Sequence, residues 1–422
     1  ISSTASSESA WAVLGTVGLS YKEGLSAAWF LPGCLLGYSV NWFFVAEKLR
    51  RRSRESGSLT LPDYLEHHFQ DKSRLLRILS VVVIFSSMMA YVAAQFTAVG
   101  KTFDALFGIP HYISVPVGGA IIILYTMMGG FLAVAWTDFA QGLIMVVGLT
   151  VLALSAAASL GGFDGMVQQV NSASPETLSL MGGKTTAVFL GSMIGLLGIG
   201  LGYPGQPHVV TRYMAAKNSE TIARGTWIAL GWGLLIYSSA ILLGICGRVL
   251  LPDLEDPESL FPRAAEMLLP AALSAVVLTG VLAAIMSTVS SQLIVAASAV
   301  AHDVYARMSR RPPSQEKILR ISRIAVLALG VGAMLVALTE VRVIFWFVLF
   351  AWSGLGAAFG PVILFTLYSR NVTLRGAVAG MTVGFATTIL WKVTGLSDSV
   401  IYELVPAFLL SSLAILIFSR GK

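Results

Sequence analysis

Residues 268–300 run through apolar and small side chains without a single charge. A helix needs only roughly 20 such residues to cross the hydrocarbon core of a bilayer. Lipid offers no partner to backbone N–H and C=O groups, so a stretch of this kind must bond them within itself, as a helix. Comparable runs recur from end to end, and only 12% of the chain is charged while 56% is hydrophobic. Soluble domains carry about twice that share of charge. The runs divide into twelve spans, at roughly 1–18, 25–49, 73–104, 111–128, 131–160, 186–213, 219–250, 268–306, 318–339, 342–368, 373–393 and 400–419. The expected fold class is an all-α polytopic membrane protein, a single domain over 1–422. Its first span starts at Ile1 already inside an apolar, hydroxyl-rich helix, which predicts that N-terminal residues are missing.

Charge sets the orientation. Placing alternate span ends on opposite sides puts 21 of the 28 basic residues on one side, among them Lys48, Arg50, Arg77, Arg212, Arg310, Arg311 and Lys422. The other side keeps seven, including Lys22, Lys101, Arg248 and Arg342. By the positive-inside rule the rich side, with the C-terminus, is cytoplasmic. The sequence pI of about 9.3 is thus a topology signal, and no nucleic-acid partner is needed to explain it. Cys34 and Cys246 both lie in apolar runs, so neither a disulfide framework nor a Cys/His metal cluster is expected. Residues 59–69, with Pro62 near their start, read as a short interfacial helix carrying two solvated histidines, His67 and His68. Residues 161–184 read as a polar loop. Residues 252–262 read as a solvated acidic loop or a cation-attracting vestibule.

Within the charge-free run, Ala284, Ser287, Thr288 and Ser291 fall at i, i+3, i+4 and i+7 and share one helical face, with Ser290 one step off it. Such oxygens need a packed partner helix, a water-filled cavity or a bound ion. Hydroxyl and carbonyl oxygens are hard ligands that suit an alkali cation; the plain alternative is helix glue by back-bonding to the preceding turn. Two spans are interrupted by composition. The sixth reads G-I-G-L-G-Y-P-G-Q-P-H at 198–208, where Pro204 and Pro207 free nearby carbonyls. The first carries S-S-T-A-S-S-E-S-A before Trp11. Discontinuous helices at matching places in two halves point to an inverted-repeat transporter with its site at the midplane. Asp138, a carboxylate within a span, is functional by default; otherwise it caps a helix start.

The stretches G-L-G-Y-P-G-Q-P-H-V-V-T-R-Y-M-A at 200–215, G-G-F-L-A-V-A-W-T-D at 129–138, L-A-A-I-M-S-T-V-S at 282–290 and W-S-G-L-G-A-A-F-G-P at 352–361 resemble the sodium:solute symporter family, and within it the bacterial sodium/proline symporters. L-T-L-P-D-Y at 59–64 and D-K-S-R-L-L-R-I at 71–78 also match, so the resemblance covers essentially the whole chain in order. It implies a LeuT-type fold with inverted five-helix repeats at about 1–160 and 186–368 and extra helices at about 373–419. It implies a sodium site formed by the carbonyls of Ala5, Glu8 and Ala284 and the hydroxyls of Ser287 and Thr288. A second sodium site in some members matches Asp138, Ser287, Ser290 and Ser291. Matching solute positions are Ser9, Ala10, Tyr91, Tyr203 and Pro207; Gln95 and Trp352 join them on geometry. The chain departs from the family pattern at three places. The acid of the first interrupted helix is replaced by Ser7, with Glu8 about 100° further round. A glycine becomes Ala10 and a tryptophan becomes Ile199. Glu8 is left with three readings: a substitute acid, a proton-titrating group or a vestibule residue.

The implied activity is uptake of a small zwitterionic or carboxylate solute, an amino acid such as proline, driven by sodium through alternating access. No cofactor beyond the ion is implied, and the setting is the lipid of a bacterial cytoplasmic membrane. Two other functions compete. An intramembrane hydrolase needs a nucleophile, a base and an oxyanion hole; no G-x-S-x-G occurs and His208 follows Pro207 in an interrupted helix, so an enzyme is not expected. A sensory domain would bind sodium and solute without flux and signal to a partner.

Overall fold

The computed structural model describes residues 2–307, 309, 313–339 and 343–420, with backbone alone at 129–131 and 133. Arg310, Arg311, Arg342 and Lys422 of the charge count, and Ile1, lie outside the described residues. Long apolar helices dominate: Leu75–Phe107, Ser219–Leu250, Ala271–Ser298, Gln315–Ala337, Ile344–Tyr368 and Leu374–Val393. Each has at least 20 residues, enough at about 1.5 Å per residue to cross the hydrocarbon core. Leu404–Ser419 follows as a shorter apolar helix.

Two pairs of expected spans each form one uninterrupted run of helical turns that doubles back. Ser7 Oγ lies 3.0 Å from Tyr38 Oη. A straight helix would hold these residues about 45 Å apart. The run Trp11–Ser56 therefore reverses, and Gly24 supplies the turn with φ +62°. A Cβ there would also strike the Thr177 backbone, so glycine is required twice over. Likewise the Tyr125 and Thr137 hydroxyls hydrogen-bond to each other within His111–Ser159. Twelve residues of straight helix would separate them by about 18 Å, so this run also folds back.

Two helices are broken. The first stops at Ser2–Ala5, leaves helical geometry at Ser6–Ser9 and resumes through Trp11–Gly15 into Thr16–Glu23. The second runs Thr186–Gly198, tightens to a 3₁₀ segment at Ile199–Gly205, turns extended at Gln206 and restarts at Pro207–Met214. Pro207 causes the restart, because its ring drives the preceding residue out of the α region. Close packing causes the glycines. A Cβ on Gly200 would sit 2.1 Å from the Gly33 carbonyl oxygen, and one on Gly202 would sit 1.9 Å from Trp352 Nε1.

The two ends of the bundle are tied by buried ion pairs. At the end carrying most basic residues, Arg77 pairs with Asp63 and Asp303 at 2.9 Å each, and with Glu66. Thr60 caps helix Leu61–Phe69 by accepting from Asp63 N, and donates to Asp303 at 2.7 Å. The short helix is thereby locked to Leu75–Phe107 and to the turn Ala299–Ala306. Burial works to raise the Asp63 carboxyl, but the hydrogen bond from Arg77 and the charges of Arg307 and Arg77 outweigh it and hold the group below its ordinary range. Its contribution to stability is therefore present above the unfolded value and lost as pH falls through the lowered one. We expect the melting temperature of the protein to drop on acidification below about pH 4, and Asp63→Asn to flatten that limb; a thermal scan against pH checks both.

At the opposite end two expectations change. Residues 161–184 are not a plain polar loop: helix Gly162–Ala173 buries Met166 and Val170, an i, i+4 pair on one face. The acidic segment 252–262 is not uniformly solvated either. Glu258 is 5% exposed, pairs with Lys101 at 2.6 Å and accepts from the backbone N–H groups of Ile344 and Phe345 at 3.0 Å each. It caps helix Ile344–Tyr368, a favourable place for a carboxylate.

Candidate ion and solute site

The hydroxyl face of Ala271–Ser298 meets the first break. Thr288 Oγ1 lies 3.4 Å from the Glu8 carbonyl oxygen, while Ser287 Oγ donates to the Ala284 carbonyl at 3.1 Å. The first contact joins the helix to the break and the second is a back-bond within the helix one residue earlier; Glu8, Thr288, Ser287 and Ala284 are all at most 1% exposed. Ala5 ends the first half-helix, so its carbonyl is one that lacks the next helical turn. The oxygens are neutral hard ligands of the kind an alkali cation takes in place of water. The glue alternative holds for part of the stripe. Ser290 and Ser291 both donate back to the Ser287 carbonyl, at 3.2 and 2.7 Å. Thr288 instead reaches across to the break.

Beside this junction Asp138 is fully buried. Its Oδ2 accepts from Ser2 Oγ at 2.8 Å, Arg212 Nη2 at 2.7 Å and Ser291 Oγ at 3.4 Å. Arg212 Nη2 also donates to Ser291 Oγ at 2.6 Å, and Arg212 donates to the His208 carbonyl. Asp138 and Ser291 are thus together, whereas the Ser287 and Ser290 hydroxyls turn back into their own helix. A guanidinium, and not only hydroxyls, addresses the carboxylate. Sequence reasoning counted Arg212 as topology charge; its position four residues after His208 in the interrupted helix was the available signal.

The solute positions converge on the two breaks. Gln95 Oε1 accepts from Ala10 N at 3.0 Å and its Nε2 donates to Ser9 Oγ at 3.2 Å. Both ends of Gln95 are spent on capping the second half of the first helix, a role its spacing from Tyr91 did not reveal. Tyr203 packs tilted against Tyr38 and edge-to-face against Trp352, at 4.5 and 4.8 Å between ring centroids, and shares a 2.9 Å hydrogen bond with Tyr237. Trp352 Nε1 donates to the Ile199 carbonyl at 3.1 Å, and Asn41 Nδ2 to the Tyr203 carbonyl at 3.2 Å. Carbonyls freed in both breaks are therefore met by side chains, and the one that meets the Glu8 carbonyl belongs to the hydroxyl stripe. Tyr91 is fully buried with its hydroxyl unpartnered, edge-on to His208 at 6.1 Å. Pro207 lines a cavity of about 330 Å³ with Thr211, Ile84, Val295 and His302, opening toward the basic end.

Tyr38, Tyr237, Asn41, His208 and Arg212 are the members of this cluster that sequence reasoning did not assign. Tyr38 and Tyr237 both donate to Glu8 Oε1, the latter at 2.7 Å. These contacts join residues 30 and 229 positions apart, so no local pattern announces them.

The sodium:solute symporter family model matches residues 1–384. The chain is 37% identical over 424 residues to the high-affinity proline transporter PutP of Bacillus subtilis (strain 168), covering 99% of this chain and 89% of that protein. It is 36% identical over 428 residues to the sodium/proline symporter of Salmonella typhimurium, covering 99% and 84%. Among solved structures, a Na⁺-coupled sialic acid symporter in a substrate-bound outward-open state superposes with a TM-score of 0.79 at 19% identity, covering 99% of this chain and 88% of that one. Mhp1, a nucleobase-cation-symport-1 family transporter, superposes with a TM-score of 0.54 at 13% identity, covering 99% and 92%. These two likenesses bear on the fold, which is the LeuT type.

Proposed function

The chain belongs to the sodium:solute symporter family, and from that membership we propose that it carries proline, or a closely related amino or imino acid, inward with sodium. As a member it is a multi-pass membrane transporter and not an enzyme, and sodium is its coupling ion. The solute is inferred from the proline-carrying relatives. The observation that carries the coupling is the Thr288 contact with the Glu8 carbonyl, which joins the stripe to the first broken helix.

In this reading the first sodium sits among the carbonyls of Ala5, Glu8 and Ala284 and the hydroxyls of Ser287 and Thr288. Sodium there clamps the broken helix to Ala271–Ser298 and favours whichever state binds it more tightly, the outward-facing one. A second sodium uses Asp138 and Ser291, with Ser287 and Ser290 turning toward it, once the Arg212 guanidinium withdraws. The solute lies among Ser9, Ala10, Tyr91, Tyr203, Pro207 and Trp352, with Gln95 holding the break in shape. The repeats are 1–160 and 186–368, followed by the helices at 373–419. The basic end, with the C-terminus, faces the cytoplasm of a bacterium, and the cavity beside Pro207 is the inner exit. One charge falling through 100 mV yields about 2.3 kcal/mol, so two sodium ions per solute support steep accumulation.

The test is uptake of labelled proline into proteoliposomes under an inward sodium gradient. We expect electrogenic accumulation that collapses when potassium replaces sodium. Electroneutral uptake contradicts the scheme, and sodium-dependent binding without flux assigns the chain to sensing instead.

A further inference from the structure

Of the described carboxylates that are completely enclosed, Asp138 and Asp303 each face an arginine, whereas Glu8 does not. It is fully buried at the first break, its Oε1 is held by the hydroxyls of Tyr38 and Tyr237, and its Oε2 has no hydrogen-bond partner. No basic side chain among the described residues forms an ion pair with it; its side-chain hydrogen-bond partners are Tyr38 and Tyr237. A buried anion without a counter-charge is strongly unfavourable, so the working cycle must bring a positive partner to that oxygen.

Three candidates exist, and the geometry separates them. A proton on Oε2 would remove the charge but leave a buried donor for which the structure supplies no acceptor. Sodium takes several oxygens at once, and Oε2 has no hydrogen-bond partner to share such a shell, whereas the Thr288 hydroxyl and the Glu8 carbonyl already meet on the other side of the residue. An ammonium group needs only one carboxylate oxygen in its donor direction, and such charge-assisted hydrogen bonds are strong. The fully buried Tyr91, one of the positions assigned to the solute, also carries an unpartnered hydroxyl.

We propose that the Glu8 carboxylate is the seat for the positively charged nitrogen of the solute, so that the chain selects amine-bearing acids over carboxylates that lack the amine. This rests on the sodium-coupled uptake inferred above and names the group that reads the solute. It also gives a physical link between ion and cargo. The Glu8 carbonyl faces the proposed sodium junction while its carboxylate faces the tyrosine cluster, so ordering the backbone by sodium presents the anionic seat. Sodium should therefore tighten solute binding through one residue.

The experiment measures binding to purified protein in saturating sodium, comparing L-proline with tetrahydrofuran-2-carboxylate, in which an ether oxygen replaces the ring ammonium. A wider panel pairs other amino acids with their amine-free analogues. The wild type should prefer the amine-bearing member of each pair by at least about tenfold. Glu8→Gln should weaken proline by roughly 30-fold or more and leave the ether analogue within about threefold. A wild-type preference near one overturns the proposal without any variant, which covers the case in which Glu8→Gln fails to fold. Equal loss of both ligands, or a raised sodium requirement with unchanged selectivity, also overturns it. Sodium-dependent binding of amine-free acids alone removes the Glu8 seat and leaves sodium-coupled uptake standing. Failure of every solute to bind with sodium removes both.

Discussion

Thr288→Ala should raise the sodium concentration for half-maximal uptake about 10- to 100-fold, the range seen when groups that hold a metal in place are lost. Affinity for solute at saturating sodium should change only a few-fold. The reason is geometric: Thr288 Oγ1 is the side-chain oxygen that spans from Ala271–Ser298 to the Glu8 carbonyl at 3.4 Å. Removing it takes one ligand from the proposed cage and the one hydroxyl bridge across the junction, while Ser9, Tyr91 and Tyr203 are untouched. Ser287→Ala should act in the same direction, because it removes another hydroxyl of the proposed cage. The check is initial uptake rate against sodium at two solute concentrations. A loss of rate that is the same at every sodium concentration would mean that Thr288 is packing alone, as in the glue reading.

Asp138→Asn is the second large effect. The carboxylate is fully buried, and its Oδ2 accepts from Arg212 at 2.7 Å. Removing one partner of a buried ion pair typically costs about 3–5 kcal/mol. We expect a marked drop in melting temperature for Asp138→Asn. The double variant Asp138→Asn with Arg212→Gln should recover much of it, since the two residues are in contact and their losses then do not add. Transport separates the stabilising role from the proposed ionic one. Paired isotope flux on the stable double variant should show fewer sodium ions per solute than the wild type. An unchanged ratio would assign Asp138 to the Arg212 pair alone and remove the second sodium site.

The two residues illustrate how legible the site was. The stripe Ala284, Ser287, Thr288 and Ser291 follows from spacing on one helix, and hydroxyls in hydrocarbon demand an explanation wherever they occur. Asp138 stood out for the same reason, as a carboxylate in an apolar run. Its partner did not, because an arginine in the last turn of an interrupted helix looks like one more positive charge at the membrane edge. Glu258 was misread in the opposite sense. An acidic loop looks solvated until the fold brings Lys101 and the start of Ile344–Tyr368 against it. Gln95 was placed at the solute by its position one turn after Tyr91, yet its amide closes the break at Ser9 and Ala10.

What the chain's own order of residues determined is whatever lipid enforces locally. Apolar length sets the spans, the basic residues set the expected sidedness, and prolines with glycines set the second interruption, each through a constraint acting within a few turns of chain. The tertiary structure alone decided which oxygens share a junction and which are spent elsewhere. Glu8 meets Tyr38 and Tyr237, Asp138 meets Arg212, and Trp352 seals the second break, through contacts spanning 30 to 229 residues of sequence. Side-chain hydrogen bonds of that range depend on how helices are set against one another, and helical periodicity carries no record of the neighbour a face will find.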